Sequence, residues 1–88
     1  TEPVALALGF AAALEASVHE MDANRAKLDG LRTRLFDALR VSSSPVVVNG
    51  PAPGDPDGLP TTLNLSFPGC RADVLLMNLD LAGVACST

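Results

Sequence analysis

His19, Lys27, Cys70 and Cys86 are the side chains of this sequence best suited to proton transfer or covalent chemistry. His19 is the only histidine, with Glu15 and Asp22 on the same helical stretch. An imidazole beside carboxylates can act as a base, but only with partners converging from elsewhere in the chain. A solvated histidine on a helix face is therefore expected. Lys27 is the only lysine and falls mid-helix. Cys70 and Cys86 lack the C-x-x-C spacing of a redox or zinc pair, and a zinc site would need further ligands. Asp55 and Asp57 sit among prolines and glycines, where turn geometry already accounts for aspartate. Neither GxGxxG nor GxxxxGK occurs, so no phosphate loop is present. The residues by themselves assign no catalytic group and no metal ligand.

Composition narrows the field further. Ten acidic against six basic residues give a net charge of −4, which argues against nucleic acid, whose phosphates attract Lys and Arg. Trp and Tyr are absent, so single strands have no stacking platform. Two cysteines are too few for a disulfide scaffold. At 48% hydrophobic and 18% charged residues the chain is too apolar for a disordered tail. A chain of 88 residues buries only about 60% of the surface its unfolded form exposes. Some of the apolar surface is thus expected to face another body. The apolar run from Val4 to Leu14 is too short to span a bilayer and Glu15 closes it, so no membrane association is expected. No basic stretch precedes that run, so no secretory signal is expected either. The abrupt ends at Thr1 and at Cys86-Ser87-Thr88 are read as those of a segment from a longer, cytoplasmic protein.

The helices and strands that carry these residues can be read from periodicity. Val4 to about Arg40 reads as helix, with Leu14, Val18, Met21, Leu28, Leu31, Leu35 and Leu39 as its apolar stripe. Pro3 suits the first turn, Thr1 or Glu2 can cap it, and Gly30 is the expected place for a bend. Ala5 to Ala13 is apolar on nearly every side, the mark of a helix buried all round. Pro45 ends the helix. Val46–Val48 forms a strand, Pro51–Pro60 a surface loop with no packing drive, and Thr61–Phe67 a half-buried strand with Leu63, Leu65 and Phe67 on one face. After the Pro68-Gly69 turn, Arg71–Leu81 is a second helix with Val74, Leu75, Met77 and Leu79 inward. Gly83 stops it, and Val84–Cys86 starts a third strand. The expected class is α+β: a long helix, about three strands and one further helix.

Several stretches together resemble a known family. They are Thr1-Glu2-Pro3-Val4, Val48-Asn49-Gly50-Pro51, the run Leu59-Pro60-Thr61-Thr62-Leu63-Asn64-Leu65-Ser66-Phe67-Pro68-Gly69, Leu75-Leu76-Met77, and the closing Gly83-Val84-Ala85-Cys86-Ser87-Thr88. In this order, and over essentially the whole chain, they resemble the C-terminal part of cysteine desulfurases of the class-V aminotransferase family. The resemblance implies a pyridoxal-phosphate enzyme of the fold type I α/β architecture. Such an enzyme takes sulfur from L-cysteine, giving alanine and an enzyme persulfide for iron–sulfur clusters or thio-cofactors. It further implies a homodimer and a sulfur-acceptor or scaffold protein as partner. Residues 1–30 would link a large cofactor domain to a small α+β domain formed by residues 31–88.

Residue by residue, the resemblance carries over little. Thr1 matches the threonine that donates to the cofactor phosphate across the dimer. The Schiff-base lysine lies upstream in the family and Lys27 does not match it; the persulfide cysteine follows the serine-threonine that closes this chain. Cys86 stands where the family also uses valine, and Asn64 is typical of the family but is expected to order the neighbouring turn. This chain alone is therefore expected to be inactive, with no catalytic residue of its own. A selenocysteine lyase or another member of the class-V aminotransferase family is the alternative within the resemblance. A non-catalytic module that buries its apolar helix against a partner is the alternative from a different class.

Overall fold

The computed structural model describes residues 2–88. Helix α1 runs from Val4 to Ser42, strand β1 is Val47–Val48, strand β2 is Leu65–Ser66, and helix α2 is Ala72–Leu81. The two strands pair antiparallel, Val47 opposite Ser66 and Val48 opposite Leu65. The class is α+β, as the sequence predicts, with two strands rather than three.

Val84–Thr88 forms no strand. A strand exists by pairing its backbone with a neighbour, and no such neighbour is offered. Instead Gly83 adopts a φ of 87° and closes α2. The Val84 N–H donates to the Leu79 carbonyl at 2.8 Å and the Gly83 N–H to the Asp80 carbonyl at 3.0 Å. This is the paired bonding of a Schellman cap, and it needs a residue without a Cβ at the turning point.

α1 passes Gly30 without a break, for 39 residues. One glycine costs a helix only about 1 kcal/mol, less than the flanking turns supply. Pro3 is itself the residue before the first turn, and among the described residues no side chain caps it, Glu2 included. The face turned toward the rest of the chain differs from the leucine stripe. Arg25, Leu28, Asp29, Arg32, Phe36 and Leu39 are buried or half-buried, while Leu31 and Leu35 stay about half exposed. α1 is apolar on two sides, and leucine spacing alone cannot say which side is covered. The covered line continues toward the N-terminus, at intervals of three or four residues, through Met21, Val18, Leu14 and Phe10, all of them exposed.

In α2 the half-buried residues are Leu75, Leu76 and Leu79, whereas Val74 and Met77 point outward. The alternation across Thr61–Phe67 holds in burial: Leu63, Leu65 and Phe67 are half-buried and Thr62, Asn64 and Ser66 exposed. Among the described residues no hydrophobic side chain is fully buried, and the only buried charged one is Arg32, 8% exposed.

Candidate functional site

The sequence-nominated residues do not converge. Thr1, the residue matched to a phosphate contact, lies outside the described residues. His19 and Lys27 are exposed on α1. Cys70 is a free, exposed thiol just past the Pro68-Gly69 turn, whose backbone closes with the Cys70 N–H on the Phe67 carbonyl at 3.1 Å. Cys86 is also free and exposed, and it stands on the unpaired tail rather than on a buried strand. Among the described residues, no three His, Cys, Asp or Glu side chains gather as they would around a metal.

Two residues behave as their sequence context predicts. Asp55 accepts the Asp57 backbone N–H on its Oδ1 at 2.9 Å, so turn geometry does account for the aspartate. Asn64 accepts from Asn49 Nδ2 at 2.9 Å, and the same Nδ2 donates to Ser66 Oγ at 2.8 Å. Beside them the Asn49 N–H donates to the Asn64 carbonyl at 2.9 Å. The asparagine pair therefore extends the two-residue ladder by one register and orders the start of the loop.

Pyridoxal phosphate needs a lysine for its carbonyl carbon, a carboxylate for its ring nitrogen and donors for its phosphate. One shallow groove, about 270 Å³, lies between β2 and α2, over Leu65, Phe67 and Leu75, with Cys70 as its only titratable side chain. The other, about 300 Å³, lies between α2 and the tail and offers Asp80 and Cys86. Neither holds a lysine or an arginine. The described residues do not fit the cofactor.

The most elaborate polar arrangement was not nominated by the sequence. Arg25 Nη2 donates to the Pro56 carbonyl at 2.8 Å and to the Gly58 carbonyl at 3.0 Å. Two turns on, Arg32 Nη2 donates to the Pro51 carbonyl at 3.0 Å. Asp29 lies between them, its Oδ2 3.6 Å from Arg25 Nε. The signal available in sequence was two arginines seven residues apart, flanking Asp29 on a line that continues in apolar residues at both ends, opposite a loop rich in prolines, which accept but cannot donate.

Curated relatives match the chain from end to end. It is 39% identical over 88 residues to the IscS-like cysteine desulfurase of Mycobacterium tuberculosis, covering all of this chain and 22% of that protein. It is 35% identical over 88 residues to the cysteine desulfurase IscS of Dictyoglomus turgidum, again covering 22% of the relative. Against the mitochondrial cysteine desulfurase of Drosophila melanogaster it is 39% identical over 92 residues, or 19% of that protein. The chain spans about a fifth of the length of these relatives, in their C-terminal part. No family model matches it, and no solved structure does.

Proposed function

Since the chain is homologous over its whole length to the C-terminal part of cysteine desulfurases, we propose that it is the corresponding segment of such an enzyme. In this reading the parent protein breaks the Cβ–Sγ bond of L-cysteine. The sulfur joins a cysteine thiol of the enzyme to give a persulfide, and the carbon skeleton leaves as L-alanine. The thiol proton and the incoming hydrogen balance, so no outside oxidant or reductant is consumed. Pyridoxal phosphate, held mainly by residues outside this chain, supplies the electron sink that makes the bond labile. Thr1 contributes one phosphate contact from this chain.

Residues 1–30 are the connection to a large cofactor domain and residues 31–88 part of a small α+β domain of the fold type I architecture. The same reading includes a homodimer, a sulfur-acceptor or scaffold protein that receives the persulfide sulfur for iron–sulfur clusters or thio-cofactors, and a cytoplasmic location, with which the free thiols Cys70 and Cys86 are compatible. The observation that carries the proposal is the end-to-end identity of 34–39% to relatives that share one name. The exposed apolar half of α1 is equally what a stand-alone binding module would present, so it favours neither reading.

The test is to express the protein as its gene encodes it, incubate it with L-cysteine and a reductant, and quantify sulfide and alanine. Equimolar sulfide and alanine above the free-cofactor background are expected. Production of neither, from a folded protein loaded with cofactor, overturns the reading.

A further inference from the structure

No Cα of α1 lies within 8 Å of either strand or of α2, while the two strands contact each other. The connection runs through the Pro51–Gly58 loop. This segment has three carbonyls turned toward α1, those of Pro51, Pro56 and Gly58, and two of these belong to prolines. Each takes a guanidinium N–H, from Arg25 or Arg32. Among the described residues, these three are the hydrogen bonds that join α1 to anything beyond Pro45.

Three further observations show a built joint rather than a chance contact. Arg32 is only 8% exposed, rare for a charged side chain that lacks a carboxylate at bonding distance. Its Nε and Nη1 are buried without hydrogen-bond partners, so the loop carbonyl supplies the one hydrogen bond of the guanidinium. Gly58 is buried, and a Cβ there would stand 3.1 Å from Pro51 Cβ and 3.3 Å from Arg32 Nη1. A side chain there would crowd the loop against the arginine. Within the loop, the Asp55 N–H to the Ala52 carbonyl, at 3.0 Å, and the Gly58 N–H to the Asp55 carbonyl, at 3.1 Å, keep the three acceptors in place.

We propose that the Pro51–Gly58 loop is a strap fastened by Arg25 and Arg32, which fixes the paired strands β1 and β2 at one orientation to α1. Released, the helix and the strand pair lose every hydrogen bond that α1 makes beyond Pro45. Hydrogen bonds to a charged donor are worth enough that losing one opens a local region by about tenfold or more.

The experiment uses the protein as its gene encodes it and reads amide hydrogen exchange peptide by peptide, with no dependence on cofactor or turnover. In Arg25→Ala, Arg32→Ala and the double variant, peptides covering residues 51–60 are expected to exchange about tenfold faster or more, and the double variant fastest. Peptides from the middle of α1 and from α2 keep parental rates. Arg32→Lys restores part of the protection, since a single ammonium can still reach one carbonyl. Parental exchange of residues 51–60 in the double variant overturns the proposal, and so does a uniform rise across the whole chain, which would mean general destabilisation. Arg25 is half exposed, so Arg25→Ala supplies a folded variant even where Arg32→Ala does not.

Discussion

Cys86 sits in the stretch that most invites a catalytic label, and its surroundings give no reason for one. It is exposed on an unpaired tail, in a groove that offers no histidine, lysine or arginine beside it. Cys86→Val in the protein as its gene encodes it is expected to leave sulfide release within about threefold of the parent, a change below 1 kcal/mol in the barrier. Complete loss of sulfide release with the fold intact would make Cys86 the nucleophile. Thr1 carries the opposite expectation. One hydrogen bond to a charged phosphate is worth about 1.5–3 kcal/mol. Thr1→Val should therefore raise the apparent dissociation constant for pyridoxal phosphate by about tenfold or more, measured by equilibrium dialysis. An unchanged constant removes Thr1 from the cofactor site.

The elements divide by how local their causes are. The end of α2 is set by a single residue: Gly83 at φ 87° carries both bonds of its cap. Gly83→Ala is expected to cost about 1 kcal/mol, read from chemical denaturation, with faster amide exchange confined to the last turn of α2 and Val84. Unchanged stability would mean that the tail reorganises freely. Local causes of this kind were legible in the sequence. So were the alternation over Leu63–Phe67, the Asp55 turn and the ordering role of Asn64. The features that were not legible depended on neighbours. The third strand failed because Val84–Cys86 has β-branched and apolar character but no edge to pair with. The buried face of α1 departs from the leucine stripe because leucines report apolarity, whereas the loop selects Arg25 and Arg32. The loop looked free because its donors lie about 20 to 30 residues away in sequence, on α1.

For the molecule in full the decisive quantity is surface. The chain exposes 7059 Å², where a compact protein of 9.0 kDa exposes about 4,900 Å². Its radius of gyration is 17.6 Å, where a compact chain of this length has about 12 Å. The longest dimension, 55 Å, is essentially the length of α1. The surplus of about 2,200 Å² exceeds what one partner contributes to a standard interface, about 800 Å². The exposed Leu6, Phe10, Leu14, Val18 and Met21 lie within it. The isolated 88-residue chain is expected to show helical far-ultraviolet dichroism but no cooperative thermal transition. It should bind an apolar-surface dye and retain no pyridoxal phosphate through dialysis. A sharp, calorimetrically two-state transition of the monomer would show that the chain stabilises itself.

The uncovered line on α1 also has a consequence in time. Residues that gain their burial only from a surface built elsewhere are followers in folding, since the nucleus consists of contacts already made in the transition state. In the proposed parent enzyme, Phe10, Leu14, Val18 and Met21, exposed in this chain, would gain packing only once a finished body is there to receive them. Leu14→Ala should therefore speed unfolding of the protein encoded by the whole gene and leave its refolding rate nearly unchanged, the pattern of an interaction absent from the transition state. Stopped-flow refolding that slows in step with the loss of stability would instead make this helix a place where folding begins.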